Sequence, residues 1–114
     1  MRKTLRRAPA KQAGYARVFA ALGDETRLAL VIKLAAGQPS SISQLTAGSR
    51  LTRQAITKHL RVLEDARIVR SVRAGRESRF EFHAEPIAEI RSYLDFVSEQ
   101  WDRALARLKS FVER

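Results

Sequence analysis

The chain has 114 residues and no cysteine. That removes disulfides, thiol catalysis and thiolate metal sites, and it fits a reducing compartment, so a cytoplasmic location is expected. No run of about 18 apolar residues is present, so no membrane-spanning helix is expected. The basic N-terminal segment has no continuous apolar stretch and does not read as a secretory signal. Histidine occurs twice, at His59 and His83, too sparsely for the converging ligands that zinc wants. No Gly-rich phosphate loop or nucleophile elbow is visible, so neither an enzyme nor a cofactor is expected. Acidic residues are scarce where basic ones are dense. Residues 1–83 hold 17 Lys/Arg against 6 Asp/Glu, a balance of +11, whereas residues 84–114 hold 5 against 6, a balance of −1. So one-sided an excess points to a polyanion partner for the first three-quarters of the chain and a different task for the rest.

Length and charge together suggest one domain in three parts. Residues 1–11 carry Arg2, Lys3, Arg6, Arg7 and Lys11 without an acid and read as a flexible basic arm. Residues 12–83 form the core, and residues 84–114 a long last helix. Within the core, Tyr15, Val18, Phe19 and Leu22 share one helical face, and Gly23 is expected to stop that helix. Asp24 is a candidate N-cap for the next helix. Leu28, Leu30, Val31, Ile32, Leu34 and Ala35 are apolar on nearly all its sides and predict a helix buried among others. Ser41 with Gln44 makes a capping box for a short helix, and Gly48-Ser49-Arg50 follows as a turn.

Leu51-Thr-Arg-Gln-Ala-Ile-Thr-Lys-His-Leu-Arg-Val-Leu63 is the most informative stretch. Ile56, Leu60 and Leu63 form a core-facing stripe at steps of four and three. Gln54, Thr57, Lys58 and Arg61 lie opposite, with no carboxylate before Glu64. Amide and guanidinium groups can pair two-pronged with base edges, and cations meet phosphates, so this face suits the major groove of DNA. Residues 41–66 therefore read as a helix-turn-helix. Over about 68–83 the period changes to two: Val72 and Ala74 alternate with Arg73, and Phe80 and Phe82 with Arg79 and Glu81. Gly75-Arg76 suits a type II′ hairpin turn. The result is a wing whose tip displays Arg73, Arg76 and Arg79, with Glu77 and Glu81 as possible pairing partners.

From Pro86 to Val112 there is no further Gly or Pro. Ile87, Ile90, Leu94, Val97, Trp101, Leu105, Leu108 and Val112 recur at steps of three and four, close to a coiled-coil seam. Such a helix is roughly 40 Å long, more than one small domain covers by itself. The economical expectation is a two-fold partner of the same chain; packing against the chain's own first helix is the alternative. Tyr93, Phe96, Trp101 and Phe111 could line a small-molecule pocket between protomers, but core or dimer interface is the commoner role.

Phe19-Ala-Ala-Leu-Gly-Asp-Glu-Thr-Arg-Leu28, the stretch Leu51–Ala66 and Arg73-Ala-Gly-Arg-Glu77 together resemble the ArsR/SmtB family of winged helix-turn-helix transcriptional regulators over about residues 14–112. The resemblance implies a mainly α fold with a small β-hairpin (α+β), in the order α-α-α-α-β-β-α. It also implies a homodimeric DNA-binding regulator, usually a repressor, that dimerises through its first and last helices. Three departures stand out. The paired cysteines of the family's metal sensors are replaced by Ser41-Ile-Ser-Gln-Leu-Thr46. Asp95 on the last helix has no following His. Arg67 stands where the family commonly has Gly. No metal site is therefore expected, and an organic ligand, a partner protein or protein concentration alone remain open as signals.

The expected recognition-helix contacts to double-stranded DNA are Thr52, Arg53, Gln54, Thr57, Lys58, His59 and Arg61, with Arg61 on phosphate and His59 either on phosphate or at the core edge. The wing contacts are Arg73, Arg76 and Arg79. Tyr15, Phe19, Ile90, Leu94, Val97, Trp101, Leu105 and Leu108 are the expected dimer surface, and the operator should be an imperfect palindrome. A winged-helix module that binds RNA or a protein without duplex preference is the competing reading.

Overall fold

The computed structural model describes residues 10–113. Its elements are α1 (Ala10–Leu22), α2 (Glu25–Ala36), β1 (Ser40–Ser41), α3 (Ile42–Thr46), α4 (Arg53–Asp65), β2 (Val69–Ala74), β3 (Glu77–Phe82) and α5 (Glu85–Val112). The fold is mainly helical, with a small antiparallel sheet. Of the expected basic arm, Ala10 and Lys11 instead open α1, and the remainder lies outside the described residues.

Local capping chemistry starts the helices where the sequence signals it. The Asp24 carboxylate accepts from the Arg27 backbone N–H at 3.0 Å and opens α2. Ser41 and Gln44 exchange side-chain and backbone bonds in a complete capping box at α3. The Thr52 hydroxyl accepts from Ala55 N–H and opens α4. Gly23 follows the end of α1, but without a left-handed backbone.

α4 ends in a Schellman motif: Ile68 N–H reaches the Leu63 carbonyl at 3.0 Å, and Arg67 N–H the Glu64 carbonyl at 2.9 Å. The motif needs a left-handed residue, and Arg67 supplies it at φ 65°. A non-glycine residue there costs on the order of 1 kcal/mol. Leu63 and Ile68, the C3 and C″ residues of the motif, are both fully buried in the core cluster.

The core joins Val18 and Ala21 of α1, Leu30, Val31 and Leu34 of α2, Leu45 of α3, Ile56, Leu60 and Leu63 of α4, Val69 of β2 and Ile90 of α5. Two expectations need correction. Ile90, assigned by its place in the repeat to the pairing seam, is buried in the chain's own core, so the first turns of α5 belong to the protomer. The all-round apolar α2 is covered only on its Leu30–Val31–Leu34 side, while Leu28 and Ile32 are exposed. Apolarity on all sides does not supply neighbours for all sides.

The sheet has three strands in the order β1-β3-β2. β1, two residues long, pairs Ser40 with Phe80 and Ser41 with Arg79; it is too short to leave a periodic signal. In the hairpin, Val69 faces Phe82, Ser71 faces Phe80 and Arg73 faces Ser78. Directly opposed residues share a face. Val72 and Ala74 therefore lie on the face opposite to Phe80 and Phe82. Val69, buried just after the Schellman turn, fixes this register. Gly75 takes φ 67° and Arg76 does not take a positive φ, the pattern a type II′ turn requires.

Candidate nucleic-acid interface

α3, residues 47–52 and α4 form the helix-turn-helix. Ile56, Leu60 and Leu63 are buried to 2% exposure or less, so α4 has one fixed rotation about its axis. That rotation turns Arg53, Gln54, Lys58 and Arg61 outward, all exposed. Thr57 is half-buried, and its hydroxyl donates to the Arg53 carbonyl at 2.7 Å, which leaves its oxygen free to accept. Thr52 is spent on its cap but remains exposed at the start of the helix. Arg53 donates through Nη1 to the Ser43 Oγ of α3 at 2.6 Å across the turn. The guanidinium is thus held in one place before any ligand arrives. Ser43 was not among the expected site residues; its place one helix earlier gives no spacing signal.

His59 lies apart from the outward group. It is half-buried, with Nδ1 3.2 Å from Arg27 Nη1 and 3.9 Å from the Asp24 carboxylate. Arg27 also donates from Nε to the Ala21 carbonyl at 2.6 Å and from Nη2 to the Ala20 carbonyl at 3.4 Å. One arginine so ties together the end of α1, the start of α2 and the middle of α4. The sequence reading missed Arg27. An arginine in the first turn after a cap, next to a glycine-containing turn, is the only local hint. Bonding to Arg27 N–H, opposed by partial burial and aided by the Arg27 and His59 side chains, holds the Asp24 carboxyl below the usual carboxylate range.

The wing spreads its cations. Arg76 sits at the hairpin tip, and Arg73 and Arg79 belong to opposite faces of the ribbon. Arg79 pairs with Glu77 at 3.0 Å and Arg70 with Glu81 at 2.6 Å, whereas Arg73 and Arg76 are exposed and have no acidic partner among the described residues. His83 donates from Nδ1 to the Arg67 carbonyl, 3.1 Å away, and closes the base of the wing.

α5 packs on α1 through stacked rings: Tyr93 lies 4.8 Å from Tyr15 and 6.2 Å from Phe19, centroid to centroid. Beyond Tyr93 the apolar seam leaves the body. Leu94, Val97, Trp101, Leu105 and Leu108 are all exposed, Trp101 by 64%. No described helix is long and apolar enough to cross a membrane, so the stripe does not read as a span. Metal ligation does not fit either region that the ArsR/SmtB resemblance brings forward, because α3 and its cap carry Ser41, Ser43 and Gln44 and α5 carries carboxylates without His.

A buried-stripe helix with an amide- and cation-bearing outer face, preceded by a capped short helix and followed by a basic hairpin, defines a winged helix-turn-helix DNA-binding regulator. The comparisons agree. Residues 22–72 match the model of a helix-turn-helix domain. The HTH-type transcriptional regulator Rv2034 of Mycobacterium tuberculosis is 33% identical over 85% of this chain and 87% of its own. YuzN, an HTH-type transcriptional regulator of Bacillus subtilis, is 38% identical over 64% of this chain and 86% of its own. An ArsR-like transcriptional regulator from Rhodococcus sp. RHA1 superposes with a TM-score of 0.82 at 36% identity, covering 90% of this chain and 96% of that one. The chain belongs to the ArsR family of winged helix-turn-helix transcriptional regulators.

Proposed function

We propose that the protein is a cytoplasmic homodimer, a binder and not an enzyme, that reads an imperfect palindrome in double-stranded DNA and represses transcription near its own gene. The observation that carries this reading is the exposed Arg53–Gln54–Lys58–Arg61 face on a helix whose other side is fully buried. The uncovered seam of α5 from Leu94 to Leu108 supports self-association, with Tyr15 and Phe19 at its root. A two-fold axis through paired α5 helices would present two α4 helices to successive major grooves, about 34–36 Å apart. On this reading Arg53 and Gln54, nearest the helix start, meet base edges, and Lys58, Arg61, Arg73 and Arg76 meet phosphates. The donor chemistry speaks against a metal as releasing signal and leaves an organic ligand, a partner protein or protein concentration alone.

Four phosphate-binding cations per protomer give eight per dimer. Counterion release by 6–10 such contacts lowers affinity by about 10³–10⁵ between roughly 50 and 200 mM salt. Fluorescence anisotropy with a bound duplex across that range is expected to return a loss of this size. A nearly flat salt response would remove the electrostatic basis of the proposal.

A further inference from the structure

We propose that His59 is a positioning residue that holds the recognition helix in place only while its imidazole is neutral, so that acidification weakens duplex binding. The inference rests on the recognition reading of α4 and adds a role for a residue that faces away from the groove.

The geometry assigns the proton. A guanidinium has donors only, so the 3.2 Å contact between Arg27 Nη1 and His59 Nδ1 requires Nδ1 to accept. The ring proton of the neutral form then sits on Nε2. Arg27 cannot move aside freely, because its Nε and Nη2 hold the carbonyls of Ala21 and Ala20 in the last turn of α1. Protonating His59 turns its acceptor into a donor and sets two cations against each other. Among the described residues, the carboxylate paired with His59 is Asp24, its Oδ2 3.9 Å away, which already caps α2 through Arg27 N–H. The Asp24 carboxyl is held below its ordinary value, first by that backbone bond. It is therefore still charged where histidines titrate. The imidazolium is drawn toward Asp24 and away from Arg27, and the α4 backbone that carries His59 also carries Thr57, Lys58 and Arg61.

The charged groups recorded against His59 are these two from α2, Arg27 and Asp24. Among the described side chains of α1, the charged Arg17 lines a groove with Asp65 and Arg67 toward the far end of α4. On α4 itself, Lys58 and Arg61 point outward.

A histidine that met phosphate would behave in the opposite way, because its protonation would strengthen binding to DNA. The sign of the pH response therefore decides between the two roles. Operator affinity, measured on a duplex selected by the protein from a random pool at constant ionic strength, is expected to fall about five- to tenfold from about pH 8 to about pH 5.5. His59→Asn keeps a neutral acceptor near the Nδ1 position and should lose most of the pH response. His59→Ala should bind weakly at both. Affinity that rises on acidification, or an unchanged pH response in His59→Asn, overturns the proposal. Nitrogen-15 chemical shifts of the ring in the free protein test it without DNA: the neutral ring should carry its proton on Nε2. A neutral ring protonated on Nδ1 overturns the proposal whatever the duplex results, whereas failure to select any duplex would instead count against the recognition reading.

Discussion

Changing Trp101 and Leu105 together to glutamate is expected to leave a folded monomer whose affinity for duplex is lower by at least about a hundredfold. Both side chains are exposed in the single chain, Trp101 by 64% and Leu105 by 47%, so their loss removes little from the protomer. Exposed substitutions of this kind usually change stability by about 0.5 kcal/mol or less. The effect on self-association is of another size. An indole that goes from mostly exposed to buried removes on the order of 100 Å² from water, about 3 kcal/mol per copy, and each glutamate adds the cost of a charge in an apolar seam. Losing the dimer separates the two reading heads, and the second half-site contact is no longer intramolecular. Sedimentation equilibrium and thermal melting on the same sample separate the outcomes. A dimer that persists in the variant would place the interface elsewhere, with the exposed Leu28 and Ile32 of α2 the next surface to test.

The second large effect is expected from Arg53→Ala with Lys58→Ala. A good two-pronged contact with a base contributes about 1–3 kcal/mol, and a two-fold complex loses it twice. The expected loss is then about 2–6 kcal/mol, or roughly thirtyfold to twenty-thousandfold in affinity. The two substitutions should also differ in kind. Removing Arg53 should relax the preference at one base position per half-site, because its guanidinium is already held by Ser43. Removing Lys58 should weaken all duplexes alike and lower the salt slope by about one per protomer. Binding matrices over single-base variants of the preferred duplex, at two salt concentrations, read both. Unchanged affinity in the double variant would mean that this face of α4 is only a solvated helix side.

How much of this was legible beforehand follows the range of the interaction that decides it. The capping box at Ser41 and Gln44, the N-cap at Asp24 and the Gly75 turn each depend on residues two or three apart, and each forms as their chemistry dictates. The buried stripe of α4 was visible because Ile56, Leu60 and Leu63 repeat with the helical period. What depends on distant partners was not visible. β1 exists only because Phe80 and Arg79 lie beside Ser40 and Ser41. The period-two pattern of Val72 and Ala74 shows a strand but not its register, which Val69, following the turn at Arg67, sets against Phe82. Ile90 continues the seam in sequence yet enters the core, because α5 still lies on α1 at that point. The bond between Arg27 and His59 spans 32 positions, a distance at which no periodicity or capping rule operates.

The central claim is that two recognition helices are held one duplex turn apart. Selection of bound sequences from a random duplex pool by the intact protein tests it most directly. The account predicts an enriched inverted repeat whose half-site centres are separated by about 34–36 Å, some 10 base pairs. A pool that stays unenriched, or that converges on a single half-site without two-fold symmetry, would contradict it.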